Sequence, residues 1–418
     1  MRAGTSAGTD AEGLSYRRVL RRNPRLGALL VSYVISSVGD GILLIALPLL
    51  VLRHHGSLSA PVAVGLVMAA PYVLSTVLAL SVSLGRLRLP LRRVICYDSA
   101  SRTVLFTVIG VAALADRISF WLLALALLIG SVLHQTASSS RRLVATGMAG
   151  EGEVFTVNGL LGFANSLALY VVGPALGGVV TAAFGAGSAI LLQALSFLVL
   201  LVVVTVVVPP QPRAARATRA TESGWQILRR RPVASRLFIV VFFFNLTYMP
   251  VEVALPLLVR DDLHGDGTAL GTIWAAFGGG ALIGGALTGR LRKLPQQPVL
   301  VAVIALWGAS VVLLGLSPTV PVAVLAFALG GLIYAPFTPV AYTFVQSALR
   351  PDEQQPVVTL WTTGSTLAAP IGLSISGPLV AALGARGGLL FSAVLTLALA
   401  PIAAMGLLSS RRNAKEQE

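Results

Sequence analysis

Among 16 acidic residues, only Asp40 and Glu252 fall deep inside long apolar runs. A carboxylate at the centre of a bilayer costs at least about 2.5–3.5 kcal/mol on insertion scales, so a chain that keeps one there is expected to turn it toward a cavity and use it. His134 is the only histidine embedded in such a run, and histidine is the side chain whose proton leaves nearest neutral pH. Glu252, Asp40 and His134 are therefore the candidate proton-coupling groups, with Asp40 a candidate neighbour of His134. Blander readings stand beside these. Asp40 would cap amides where Gly39 and Gly41 loosen a helix, Glu252 would pair with an arginine such as Arg260, and His134 would be a hydrogen-bonded packing residue.

An internal repeat supplies the elements that position these groups. The run Leu26–Leu52 ends in Ala46-Leu47-Pro48-Leu49-Leu50-Val51, and the same six residues return as Ala254-Leu255-Pro256-Leu257-Leu258-Val259, 208 positions on. Each copy is followed by a second apolar run and a basic tetrad, Gly85-Arg86-Leu87-Arg88 and then Gly289-Arg290-Leu291-Arg292, 204 apart. Recurrence in register implies two homologous halves. At the offset of 208, Asp40 maps onto Tyr248 and Ser37 onto Asn245. Glu252 lies one turn beyond Tyr248, about 40° round, on the same face. At an offset of about 200, His134 maps onto Tyr334, the start of a stripe Tyr334, Thr338 and Tyr342 at helical spacing. With Gln135, these residues form the candidate substrate lining: Asp40, Ser37, His134, Gln135, Asn245, Tyr248, Glu252, Tyr334, Thr338 and Tyr342. Polar and aromatic side chains together suit an amphiphilic organic compound, although hydrogen bonding between helices would use the same residues.

Composition agrees with this picture. Hydrophobic residues make up 56% and charged residues 11%, with mean hydropathy +0.84, more apolar surface than a soluble core can use. The fold class expected is an all-α membrane protein of twelve transmembrane helices in two six-helix pseudo-symmetric halves. The spans run at about 26–52, 61–84, 94–115, 119–141, 155–184 and 187–208, then 236–260, 268–289, 298–316, 320–348, 357–384 and 386–409. Residues 1–208 form the N-terminal bundle, 209–235 a linker, and 236–418 the C-terminal bundle. The linker is rich in arginine and holds Gly224-Trp225-Gln226-Ile227-Leu228, a candidate surface helix, with Trp225 and Arg229–Arg231 as an interfacial anchor.

The formal charge of +15 is distributed by side. About 27 of the 31 Lys and Arg lie with the termini, and only Arg53, Arg117, Arg260 and Arg386 lie opposite. Both termini are thus expected in the cytoplasm of a multi-pass plasma (inner) membrane protein, with lipid and not nucleic acid as the partner of its basic surface. No removable leader is expected, since the first span lacks a small-residue cleavage site. Cys96 is the single cysteine, and His54, His55, His134 and His264 have no metal-ligand spacing, so neither disulfide, metal nor other cofactor is expected. A Gly-x-x-x-x-Gly-Lys-Ser/Thr loop is absent, so ATP cannot drive the chain directly, and no enzymatic activity is expected.

Two six-helix halves joined by a basic linker resemble the major facilitator superfamily, over essentially the whole span region. Ser36-Ser37-Val38-Gly39-Asp40 followed by Ala46-Leu47-Pro48 resembles the first helix of the branch containing macrolide-efflux and enterobactin-exporter proteins. Gly173-Pro174-Ala175-Leu176-Gly177-Gly178 resembles the antiporter motif that exporters of this superfamily carry. The resemblance implies efflux and gives Gly173, Pro174, Gly177 and Gly178 a gating role. Small residues here would equally serve close packing. The chain departs from the superfamily in the loop after the second helix: Ser81–Arg93 holds no acidic residue, although Arg92 and Arg93 remain as gating candidates. After the tenth helix Pro351-Asp352-Glu353 is kept, but Gln354-Gln355-Pro356 replaces the expected Arg-Gly-Arg. Asp98 and Arg102, four apart, are expected to form an ion pair near the inner gate.

The reading is a secondary active exporter of a small amphiphilic compound such as a drug, antibiotic or siderophore-like metabolite, working by proton antiport and alternating access as a monomer. The alternatives are an uncoupled facilitator or importer, and a non-transporting membrane sensor that kept the fold.

Overall fold

Apolar runs punctuated by short polar breaks fold into helices. In the computed structural model, residues 23–83, 90–150, 153–209, 224–291 and 294–415 are described, and no strand occurs among them. The tetrad at 85–88, Arg292, the N-terminal basic tail and linker residues 210–223 lie outside the described residues.

The first helix, α1 (Pro24–Arg53), begins where Asn23 accepts the Leu26 N–H at 3.1 Å and Pro24 occupies the first turn, where no N–H is needed. α2 (Ala60–Ser83) and α3 (Leu91–Leu114) follow. The fourth predicted span is two helices, α4 (Phe120–Gly130) and α5 (His134–Gly147), interrupted at a Gly130-Ser131 pair, and it runs past the expected end at 141. α6 (Val154–Leu167) leads through a π-turn (Ala168–Val172) into α7 (Gly173–Val207). Pro174 explains the turn. It has no N–H for the Tyr170 carbonyl, and the register widens so that the Gly173 N–H reaches the Ala168 carbonyl instead.

More helices follow. After the short α8 (Gly224–Arg230) come α9 (Pro232–Leu257) with a π-turn (Leu258–Asp262), α10 (Gly267–Leu291) and α11 (Gln296–Gly315). α12 (Val320–Tyr334) and α13 (Phe337–Ser347) are broken at Pro336, and α14 (Pro351–Lys415) ends the described chain. Left-handed backbone occurs at Gly56 (φ 62°) and His264 (φ 51°), 208 residues apart like the sequence copies. In α8, Ile227 and Leu228 are buried and Trp225 is exposed, with Arg229 over its ring at 5.7 Å. Arg231 leaves that anchor and pairs with Glu353 at 3.0 Å.

Among the described residues, ten helical stretches are long and apolar enough to cross a membrane, and two of them, Thr156–Val207 and Pro356–Met405, have 52 and 50 residues. At 1.5 Å per residue, a single straight helix of that length would overshoot a core of about 30 Å more than twofold. Each doubles back at one glycine, Gly185 (φ 81°) and Gly384 (φ 74°), in a conformation only glycine adopts without strain. Neighbours prove the reversal: Gly41 packs on Leu169 and Gly173, while Gly39, two residues away, packs on Gln193 and Ser196. Likewise Gly372 packs on Leu246 and Met249, and the Ser392 hydroxyl donates to the Thr247 carbonyl.

The loops at 54–59, 115–119 and 263–266 share one end, called the far end, opposite Asn23. Near it the two helical sets approach at backbone distance. A Cβ on Gly65 would lie 2.8 Å from the Leu373 carbonyl, and one on Gly377 would lie 3.0 Å from the Val62 Cα.

Candidate functional site

Glu252 lies on α9 between Pro250 and Pro256, and Pro256 removes the N–H that would otherwise bond the Glu252 backbone carbonyl. Its carboxylate faces a cavity of about 550 Å³ bounded by α6, the π-turn after it, α9, α10 and α12. Among the described residues it forms no hydrogen bond or ion pair. The expected partner Arg260 is taken, with Nε and Nη2 donating to Asp261 at 2.5 and 2.9 Å and Nη1 donating to the Leu52 carbonyl at 3.4 Å.

Aromatic rings form part of the wall, Phe163, Tyr170, Tyr248, Phe277 and Tyr334, with small residues between them and Trp307 buried behind. Tyr248 stacks on Trp307 at 5.6 Å and lies 5.3 Å from Tyr334, Tyr334 is 5.9 Å from Phe277, and Phe277 meets Tyr170 edge-on at 6.1 Å. Gly162 and Gly285 line the same cavity with open space where a side chain would project. One unpaired carboxylate among ring faces can hold an organic cation by charge and by cation–π attraction, and the volume is that of a drug-sized site.

Sequence pattern brings together Tyr248, Glu252 and Tyr334 but not the rest of the expected lining. Asp40, Ser37, His134, Gln135, Asn245, Thr338 and Tyr342 do not line this cavity. Asp40 accepts a hydrogen bond from Gln193 Nε2 at 2.7 Å, so its partner is Gln193 and not His134. Ser37 bonds Asn165 at 2.6 Å, and Asn245 turns back to its own helix, donating to the Val241 carbonyl at 2.8 Å. His134 opens α5 with its Nδ1 buried and unpartnered, beside the Tyr72 ring at 6.3 Å. Gln135 is half-buried beside it. The stripe on the tenth span fails because Pro336 interrupts it: Tyr334 ends α12, whereas Thr338 and Tyr342 belong to α13, where Thr338 is exposed. Tyr170, Phe277 and Trp307 escaped sequence reasoning because a single aromatic in an apolar run reads as core.

At the far end, Gly173–Gly178 is a two-sided contact. Gly173 and Gly177 press on Gly41 and Ile42 of α1, with a Cβ on Gly177 placed 2.9 Å from the Ile42 Cα. Gly178 presses on α10, where a Cβ would lie 2.6 Å from the Gly267 carbonyl, and Gly271 meets the Pro174 carbonyl. Gly278 repeats the contact at the Tyr170 carbonyl, so the glycine face of α10 continues down to the cavity.

The Asp98–Arg102 pair is present at 3.2 Å, and Arg141 joins it at 3.4 Å. Asp98 is 1% exposed. It is therefore buried although it stands near the start of α3, as is Glu153 just before α6, at 4% exposure. Arg92 donates to the Thr205 carbonyl at 2.8 Å, and Arg93 is exposed.

The family model described as Major Facilitator Superfamily matches residues 29–291 and 237–418. The chain belongs to the major facilitator superfamily. Among its relatives, the multidrug efflux pump Tap of Mycolicibacterium fortuitum is 25% identical over 87% of this chain and 91% of that protein. Macrolide efflux protein A of Streptococcus pyogenes is 27% identical over 44% of this chain and 46% of its own length. In fold, the superfamily chain is similar to a bacterial homologue of the human lysosomal transporter Spinster, solved inward-facing and unoccupied, with TM-score 0.69 at 15% identity, covering 95% of this chain and 96% of that one. A multi-pass membrane transporter of this superfamily, related to the macrolide-efflux branch, is thus the coarse identity.

Proposed function

We propose that the protein is a secondary active exporter that removes small amphiphilic organic cations by exchange for protons. The observation that carries this reading is Glu252: an unpaired carboxylate in an aromatic cavity, below a closed glycine contact. A proton and a cationic ligand compete for that one group, and alternating access turns the competition into antiport when the group meets each solution in turn. Tyr248, Tyr334, Phe277 and Tyr170 supply ring faces, and Gly178 with Gly271 forms the far-end seal. His134 and Asp40 stand outside the exchange site in this reading.

The architecture proposed is twelve crossings in two six-helix halves, residues 1–208 and 236–418. The doubled-back segments at Gly185 and Gly384 support the count. The repeated left-handed residues and the two family matches, which begin 208 positions apart, support the halves. Among the described Lys and Arg, only Arg53, Arg117, Arg260 and Arg386 stand at the far end, which favours cytoplasmic termini in the plasma membrane. A cavity within one chain suits a monomer. Efflux as the direction is supported by the names of the relatives and by the contact at Gly173–Gly178.

The test is accumulation of a fluorescent aromatic cation in efflux-deficient bacteria. Expression is expected to lower accumulation, and Glu252→Gln, present in the membrane at the same level, is expected to abolish the effect. An anionic dye exported equally well, or a Glu252→Gln protein as active as the parent, would overturn the reading.

A further inference from the structure

The four helices around Asp40 hold more buried charge than one ion pair accounts for. Asp98 on α3 is shared by Arg102 at 3.2 Å and Arg141 of α5 at 3.4 Å, and both guanidiniums lie over the Phe197 ring, at 5.2 and 5.9 Å. Two cations thus share one carboxylate in direct contact. Arg141 also reaches the hydroxyl of Ser36 at 3.4 Å, and Ser36 stands one helical turn before Asp40. Buried charge without compensation is strongly unfavourable, so the excess cation calls for a second anion nearby. Asp40 is the carboxylate that α1 offers.

Gln193 has the geometry to fix it there. It is 0% exposed, on the returning limb of α7, and its Nε2 donates to Asp40 at 2.7 Å while its Oε1 accepts from Ser196 at 2.8 Å. An ionised carboxylate only accepts, so Asp40 sets which way the amide points, with the N–H side toward it and Oε1 toward the Ser196 hydroxyl. Gly39 leaves the space the amide occupies, since any Cβ there would collide with Gln193 Oε1. Ser196 then adjoins Phe197, the ring beneath the two arginines.

We propose that Gln193 is a positioning residue that holds the Asp40 carboxylate as the second counter-charge of the Arg102–Arg141 cluster. Asp40 serves the N-terminal helices in this arrangement and is not a ligand of the transported compound. The transport arm of the test rests on the exporter reading; the stability arm does not.

Three variants of the full-length protein decide it: Asp40→Asn, Gln193→Leu, and the paired exchange Asp40→Asn with Gln193→Glu, which keeps the hydrogen bond and moves the carboxylate from α1 to α7. Each single change is expected to lower the melting temperature of the purified protein. In vesicles it should lower the maximal rate of dye transport about tenfold while apparent KM stays within about twofold. The paired exchange is expected to recover most of both losses. Should Asp40→Asn not accumulate as folded protein, recovery of folded yield in the paired exchange is the supporting result. A paired exchange no better than Asp40→Asn would overturn the proposal. So would Asp40→Asn of parental melting temperature whose KM rises about tenfold. A parent chain that moves no dye would fail the exporter reading instead, and the melting temperatures would still decide this one.

Discussion

Arg260 donates to the carbonyl of Leu52 at 3.4 Å across a separation of 208 residues, the offset that relates the two copies of Ala-Leu-Pro-Leu-Leu-Val. Repeat-equivalent positions therefore touch each other at the far end, where a two-fold relation between the halves would bring them together. Only one of the mates is an arginine, so the contact is polar in one direction.

Removing it is expected to ease opening of the far end. A partly exposed charged hydrogen bond contributes up to about 1 kcal/mol, so Arg260→Gln is expected to raise the outward-open population up to about fivefold. A cysteine placed at Ala281 in the cavity should then react faster with a membrane-impermeant thiol reagent added from outside. Unchanged labelling would mean that the glycine contacts alone hold this end shut.

Those contacts can be separated from ordinary packing. Gly178 faces α10, whereas Gly177 faces α1. Gly178→Leu is expected to force the two sets of helices apart and lower export several-fold, since overpacking costs about 1–3 kcal/mol and here falls on a moving contact. Gly177→Leu is expected to lower the melting temperature more than it changes access. Cysteine labelling from both sides in the two variants distinguishes the cases.

Backbone strain offers a cleaner comparison. Gly185 and Gly162 both have open space where a methyl group would sit, but only Gly185 has positive φ. Gly185→Ala should destabilise the protein by about 1–3 kcal/mol, whereas Gly162→Ala should be neutral or slightly stabilising. Thermal unfolding of the purified variants measures both.

At the other end, Glu353 ties Arg231, and with it α8, to the start of α14. The Arg350 backbone N–H, followed by the Arg231 guanidinium, holds its carboxyl below the usual glutamate range. A lowered acid contributes stability above its unfolded value of about 4.3 and loses it as pH falls through the folded one. Protection of the amides in 224–231, relative to their intrinsic exchange at each pH, is therefore expected to fall as the pH drops below the ordinary glutamate value. Glu353→Gln should show the lower protection already at neutral pH, with no acid step.

The helices were legible because apolar runs of membrane length have few alternatives, and the repeat located Tyr248, Glu252 and Tyr334 on cavity-facing surfaces. What the pattern missed was decided by single residues acting on the backbone. Pro336 split the Tyr334–Tyr342 stripe, and Pro174 widened a turn so that Tyr170 entered the wall. Asp40 was expected in the cavity because nothing in its own helix reveals that Gln193, 153 residues later, points at it. Gln193 is polar within an otherwise apolar stretch, a signal as strong as that of His134 and available to the same reasoning. Arg141 was hidden for another reason: it sits at the predicted end of a span, and the helix runs six residues further, to Gly147.

Glu252 is, in the proposed mechanism, where proton and cation exchange. That role is tested most directly in proteoliposomes bearing a proton gradient, with uptake of a labelled aromatic cation followed against the gradient and then as counterflow without one. The parent protein is expected to accumulate the cation, and Glu252→Gln to lose accumulation while retaining counterflow, because the neutral side chain still lines the aromatic cavity. Uphill accumulation by Glu252→Gln, with the pH dependence of the parent, would contradict that role.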